Sequence, residues 1–237
     1  MFYTFPWACS RIRRSLYGIK AFSQLNQGYT ATTGTGFMIA PGVLVTPAHV
    51  VHIQGDRTKS RYTNFQAILA SDVGKKMESC TYIGEDLVRD IALIRIEKPR
   101  SKKVVSFYLN KIPIGTTCGS LGFPLSSIHP NTGVFNLFER FQGASISGYQ
   151  NTILVDQNFY SYETDALMYP GASGSPGFLR NGKVFGMHNA SIVQRRVVEQ
   201  TLNQSEPNKG DIFRVAISIW VPIKDIIDFA KSKGIKI

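Results

Sequence analysis

Three residue types that can together make a hydroxyl nucleophilic occur along this chain in the order histidine, aspartate, serine. Ser173 lies in Gly171-Ala172-Ser173-Gly174-Ser175-Pro176, a turn with a glycine to either side of it. His49 lies in Thr46-Pro47-Ala48-His49-Val50-Val51, and Asp90 opens the apolar run Ile91-Ala92-Leu93. A serine hydroxyl is a poor nucleophile at neutral pH; it needs a base to take its proton, and the base needs a group to orient it. In that division of labour Ser173 attacks and His49 is the base. Asp90 accepts a hydrogen bond from the far imidazole nitrogen, fixing the tautomer and stabilising the imidazolium. The backbone N–H groups of Gly171 and Ser173 supply an oxyanion site, and Gly171, lacking Cβ, reaches backbone angles that other residues resist. Each segment alone is commonplace, since a Gly-Ser turn before proline is usually only a turn. The order, with gaps of about 40 and about 80 residues, is what turns them into a chemistry: acyl transfer through a covalent acyl-enzyme.

The elements that must position these residues read mostly as strands. Phe37-Met38-Ile39-Ala40 and Val43-Leu44-Val45-Thr46 flank the turn dipeptide Pro41-Gly42, a hairpin pattern. Ile91–Ile96 is a buried strand, and another begins at Lys183 after Asn181-Gly182, a strong hairpin signal. Val215, Ile217, Ile219 and Val221 alternate with Ala216, Ser218 and Trp220, which is period two. Pro222 then starts a helix with Ile223, Ile226, Ile227 and Ala230 on one face, Asp225 and Asp228 early, Lys231 and Lys233 late, and Gly234 after it. Many short strands with one C-terminal helix predict an all-β barrel or sandwich. The basic, breaker-rich stretch 98–113 reads as a linker between two β-halves, and residues 1–28 as an N-terminal extension, partly helical around 11–25. Residues 192–211 read as a long polar surface loop that gates the cleft or contacts substrate.

With 237 residues, 43% of them hydrophobic, the chain can bury one large domain or two packed halves. The formal net charge of +11 is spread over the sequence and reads first as a solvated basic surface. An anionic partner, nucleic acid or a membrane surface, is the alternative use of that charge, although no aromatic-and-basic recognition motif accompanies it. Cys9, Cys80 and Cys118 are too few and too scattered for a disulfide framework or a metal site, and nothing in the sequence implies a cofactor. No apolar run approaches the roughly 20 residues of a membrane span, and the aromatic N-terminus has its basic residues after the apolar ones, the reverse of a signal peptide. These features predict a cytoplasmic protein.

On these motifs the chain resembles the chymotrypsin-fold serine proteases, most of all the HtrA/Deg-like branch, over roughly residues 30–234. Gly34-Thr35-Gly36-Phe37-Met38-Ile39 through Ala48-His49-Val50-Val51 resembles the family's histidine region, and Asp90-Ile91-Ala92-Leu93 its aspartate strand. Gly122-Phe123-Pro124-Leu125 is similar to the turn opening its second barrel, and Thr164 through Pro176 to its serine loop. The resemblance implies two six-stranded antiparallel β-barrels followed by a C-terminal helix. Barrel one would span about 29–105, barrel two about 113–221 and the helix about 222–234, with the triad in the cleft between the barrels. It implies a serine endopeptidase acting on protein or peptide substrates. A catalytically inactive protease fold serving as a binding module is the alternative, which the intact His49, Asp90 and Ser173 oppose. Ala172 stands where zymogen-activated relatives carry an aspartate that pairs with a newly cut N-terminus. Alanine cannot form that pair, so activation by cleavage is not expected, nor is a C-terminal PDZ domain of the HtrA kind after the helix.

The resemblance also places a substrate pocket between residues 167–172 and 187–191, with Thr164, Leu167, His188 and Ala190 around it. His188 occupies the place of a pocket histidine in glutamyl endopeptidases and in viral relatives that cut after glutamine. An imidazole and the Thr164 hydroxyl could donate to a carboxylate or amide oxygen, implying Glu or Gln before the scissile bond; Leu167 suits an apolar residue instead.

Overall fold

The computed structural model describes residues 3–24, 29–72, 76–129, 134–154, 157–197 and 212–237. Its first half is a closed barrel of six antiparallel strands: β1 (Leu16–Gln24), β2 (Tyr29–Ala40), β3 (Val43–Thr46), β4 (Asn64–Leu69), β5 (Glu78–Asp86) and β6 (Ile91–Ile96), in the order β1-β2-β3-β6-β5-β4. Between β3 and β4 lies the single helical turn α2 (Ala48–Val51), and ahead of the barrel lies α1 (Phe5–Ile12). The β2–β3 hairpin turns at Pro41-Gly42, where Gly42 takes φ of 77°.

The second half contains β7 (Ser106–Phe107), β8 (Thr117–Gly122), β9 (Ser127–Ile128), β10 (Phe135–Asn136), β11 (Arg140–Leu154), β12 (Gln157–Thr164), β13 (Pro176–Phe178), β14 (Lys183–Val197) and β15 (Ile212–Pro222). Strands β13-β8-β11-β12-β15-β14 run side by side, and pairing of β13 with β14 closes them into a second six-stranded barrel. β7 adds parallel to β14 outside the ring, and β9 pairs with β10 apart from it. Helix α3 (Ile223–Ser232) follows directly from β15.

β3 and most of β6 read as near-continuous apolar runs because both of their faces are covered. On β6, Ala92, Ile94 and Ile96 point into the barrel beside Tyr17, Ile19, Met38 and Leu44, while Ile91 and Leu93 point outward. The outward set joins Phe37, Val45, Leu121, Phe123, Phe178 and Met187 in the core between the barrels, which α1 and α3 extend with Ala8, Ile12, Ile226 and Ala230. This is the period-two alternation of a pleated strand with two dry sides. Barrel two has its own smaller core of Ile112, Cys118, Ile146, Tyr162, Phe185 and Trp220.

The helix expected around 11–25 is cut short: α1 ends at Ile12, Arg13–Ser15 form one tighter helical turn, and Leu16–Gln24 is strand β1, paired on both sides with β2 and β4, so residues 3–24 are not an appendage. Tyr17, Ile19 and Ala21 fill barrel one from β1, and Gly18 between them disfavours helix. The 98–113 stretch does connect the halves, but Ser106–Phe107 within it pairs with β14. Of the expected 192–211 loop, residues 192–197 continue β14, and 198–211 lie outside the described residues.

Candidate active site

The three residues singled out from the sequence come from three different supports. His49 sits on the α2 turn, started by Pro47, whose fixed φ suits a helix entry. Asp90 sits at the mouth of β6 after a turn held by Asp86, whose carboxylate accepts from Val88 N and Arg89 N, both at 3.0 Å. Asp90 takes φ of 56°, a left-handed conformation that aspartate tolerates better than most side chains. The residue is 4% exposed, and its carboxylate meets His49 twice. Oδ1 accepts the His49 backbone N–H at 2.8 Å, and Oδ2 accepts Nδ1–H at 2.6 Å. The second bond leaves Nε2 as the free basic nitrogen. The Arg57 guanidinium lies 3.9 Å from Asp90 Oδ1, adding a positive charge at the edge of the pair.

Ser173 is held by a turn in which nearly every backbone group is committed. Ala172 N–H donates to Tyr169 O at 3.0 Å, Ser175 N–H to Ala172 O at 2.9 Å, and Gly174 N–H to His188 O at 2.8 Å. Gly174 has φ of 92°, and a Cβ there would sit 1.8 Å from Thr35 O, so only glycine fits. The turn is fastened to barrel one by a single buried residue. Thr35 N–H donates to Ser173 O at 2.8 Å, and Thr35 Oγ1 donates to Gly171 O at 2.9 Å. Thr35 Oγ1 in turn accepts Phe123 N–H at 3.1 Å.

Two N–H groups stand out from this network. Among the described residues, neither Gly171 N–H nor Ser173 N–H has an acceptor. The Pro170–Gly171 peptide is oriented by Leu125 N–H, which donates to Pro170 O at 2.7 Å. In a trans peptide the N–H points opposite to the carbonyl, so this bond turns Gly171 N–H away from Leu125 N. Leu125 itself has φ of 60°, a strained setting for a branched side chain, and its side chain is exposed. A cleft of about 300 Å³ brings His49, Ser173 and Gly171 together with Thr32, Thr33, Val50, Leu125, Ser126 and Pro170. The arrangement pairs an oriented imidazole with a serine and two free amide donors. The buried thiols of Cys80 and Cys118 are pushed up to about 12 by desolvation, which keeps them protonated and poor nucleophiles.

The residues expected around a substrate pocket are spread differently. Thr164 is fully buried, with Oγ1 accepting Trp220 Nε1–H at 2.9 Å. His188 is 3% exposed, its ring edge-on to Trp220 at 5.2 Å and its Nε2 3.2 Å from Ser191 Oγ. Burial pushes the His188 pKa down to about 4, so its ring is neutral at neutral pH. Leu167 is half-buried and Ala190 exposed, and none of these four lines the 300 Å³ cleft. Arg57 carries no sequence signal, and Thr35 and Leu125 enter the sequence reading only as members of the segments 34–39 and 122–125, with no role of their own. Thr35 and Leu125 act mainly through backbone groups whose direction only the fold reveals.

A profile described as trypsin-like peptidase domain matches residues 34–187. A probable periplasmic serine endoprotease, DegP-like, of Chlamydia pneumoniae is 26% identical over 213 residues, covering 82% of this chain and 39% of that protein. The serine protease Do-like HtrB of Bacillus subtilis (strain 168) is 28% identical over 160 residues, 65% of this chain and 31% of its own length. The chain thus matches two fifths or less of the length of these curated relatives. Among solved structures, the active form of the Rv3671c protease from M. tuberculosis superposes with a TM-score of 0.67 at 17% identity, covering 97% of this chain and 85% of that one.

Proposed function

This chain belongs to the trypsin-like peptidase domain family, and from that premise we propose that it is a serine endopeptidase working through an acyl-enzyme. The observation that carries the reading is the double hydrogen bond from His49 to Asp90, which presents Nε2 as a base in the cleft that Ser173 lines. Ser173 Oγ attacks the scissile carbonyl and gives its proton to His49 Nε2. The carbonyl oxygen, now negative, is met by Gly171 N–H and Ser173 N–H, and preorganised donors of this kind stabilise the tetrahedral intermediate without reorganising. His49 then returns the proton to the leaving amine, and water repeats the sequence to release the acid.

Labelling with a fluorophosphonate tests the chemistry: the wild type is expected to be labelled and Ser173→Ala not. An unlabelled wild type would favour the binding-module reading. At the finer level, a His188 held neutral offers no charge to a carboxylate. The reading is therefore that an uncharged residue, glutamine or apolar, precedes the scissile bond. Peptides differing only in Glu, Gln or Leu at that position are expected to be cut in favour of Gln or Leu at pH 7. Faster cleavage after Glu overturns this. Placement in the cytoplasm remains a proposal, supported by the sequence features alone; no helix among the described residues is long and apolar enough to cross a membrane.

A further inference from the structure

A cavity of about 510 Å³ that no triad residue lines is walled by three separate segments: the end of α1 and the turn after it, residues 103–106 of the inter-barrel connection, and Gly182 at the β13–β14 turn. The segments are fastened together. Ser101 Oγ donates to Arg14 O at 2.9 Å and accepts Lys103 N–H at 3.1 Å, tying the turn after α1 to the connection. Gly182 lies against α1: a Cβ there would be in ordinary contact with the Trp7 ring at 3.4 Å and Arg11 Cδ at 3.7 Å.

Arg11, Arg14 and Lys103 line this cavity with the hydroxyl-bearing Ser10, Ser15 and Ser106, and no carboxylate is among its walls. None of the three cations has an ion-pair partner among the described residues, whereas their neighbours do. Arg13 pairs with Glu139 at 2.8 Å, and Arg100 lies 3.7 Å from Asp72. Arg11 is instead laid over the Trp7 ring at 5.1 Å, which restrains its guanidinium beside the cavity. Like charges gathered in a concavity repel one another unless an anion occupies it. Arginine forks match the oxygens of phosphate two at a time, lysine adds a point charge, and the Ser15 and Ser106 hydroxyls add to the donor set, the Ser10 hydroxyl being given to Trp7 O at 2.8 Å. A monocarboxylate would neutralise only one of three cations. The volume falls in the range of about 300–1,000 Å³ typical of small-molecule sites and is concave, unlike a patch that meets a flat membrane or duplex.

We propose that this cavity binds a small phosphorylated anion bearing two or more negative charges, of pyrophosphate to nucleotide size. The proposal is independent of the proteolytic reading. Calorimetric titration of the full chain with inorganic pyrophosphate, ADP and ATP at low salt tests it. Vesicles containing phosphatidylglycerol serve as a separate arm. Binding of pyrophosphate or a nucleotide is expected to weaken at least tenfold in Arg14→Gln/Lys103→Gln and to persist in Lys231→Gln/Lys236→Gln, which removes equal charge elsewhere. Tighter binding of ADP and ATP than of pyrophosphate supports a nucleotide, and equal binding supports phosphate alone. Ser106→Glu, which adds a carboxylate to the exposed wall, should give the same loss if the double variant does not fold. Equal weakening in both double variants, no binding by the wild type, or binding to vesicles alone would overturn the proposal.

Discussion

Thr35 illustrates how much of the candidate site rests on a residue with no chemistry of its own. It is fully buried, and both its main-chain and side-chain groups are used. The N–H holds Ser173 O, the carbonyl accepts Thr46 Oγ1–H at 2.9 Å, and the hydroxyl bridges Gly171 O and Phe123 N–H. Valine has nearly the same shape but no hydroxyl. Thr35→Val would therefore leave Phe123 N–H unpaired in a buried site and Gly171 O without its part-buried partner, a cost of about 1–3 kcal/mol. If that cost falls on the geometry of the oxyanion turn, kcat should drop about 10- to 100-fold with little change in KM. Thr35→Ser should recover most of it. A loss confined to KM, or the same loss in both variants, would mean that Thr35 only fills space. His49, Asp90 and Ser173 were legible in the sequence because each side chain is itself reactive and flanked by recognisable neighbours. Thr35 and Leu125 were not, because their contribution lies in where an N–H or a carbonyl points.

At the scale of elements, legibility followed the hydrophobic period. The β2–β3 hairpin, β6, the start of β14 at Lys183, β15 and α3 were all readable from apolar spacing and turn residues. β1 was not. Its burial runs through both faces from Leu16 to Ile19, so alternation sets in only after that, and the basic residues just before it mimic the charged face of a helix. Only the register with β2 and β4 settles it as a barrel strand. The same region yields a stability test, because α1 is packed into the core between the barrels through Ala8 and Ile12. Phe5 adds ring contacts at 5.3 Å to Phe141 and 6.3 Å to Phe178. Ile12 is 2% exposed, so Ile12→Ala removes a fully packed side chain and should cost about 2–5 kcal/mol. For a chain of this size that lowers Tm by roughly 4–20 °C, measurable by thermal unfolding. A change under about 1 °C would mean that α1 is not part of the folded unit and that the first residues do behave as an extension.

Across the whole molecule, one buried histidine of the second barrel braces the serine turn: His188 on β14. Its carbonyl accepts Gly174 N–H and its N–H donates to Ser175 O at 2.9 Å, so it brackets the serine turn from β14. Its ring is enclosed, with Nδ1 lacking a partner among the described residues. Desolvation is the largest cause of its low pKa, and the nearby His49 pushes the same way. The Ala172 and Ala190 backbones act in the opposite direction. In the unfolded chain the same imidazole titrates near its ordinary 6.5, against about 4 when folded. Between those values the unfolded chain holds a proton that the folded protein refuses, so stability is complete above the upper value and is lost as pH falls through the window. A shift of this size corresponds to a contribution on the order of 3 kcal/mol. Thermal unfolding at pH 7 and pH 4.5 should show Tm falling by roughly 5–10 °C more in the wild type than in His188→Gln, whose side chain does not titrate. Other groups, including Asp225, whose carboxyl is raised by burial, act alike in both proteins and cancel in the difference. Equal pH slopes in the two proteins would show that the ring accepts its proton without opening the fold.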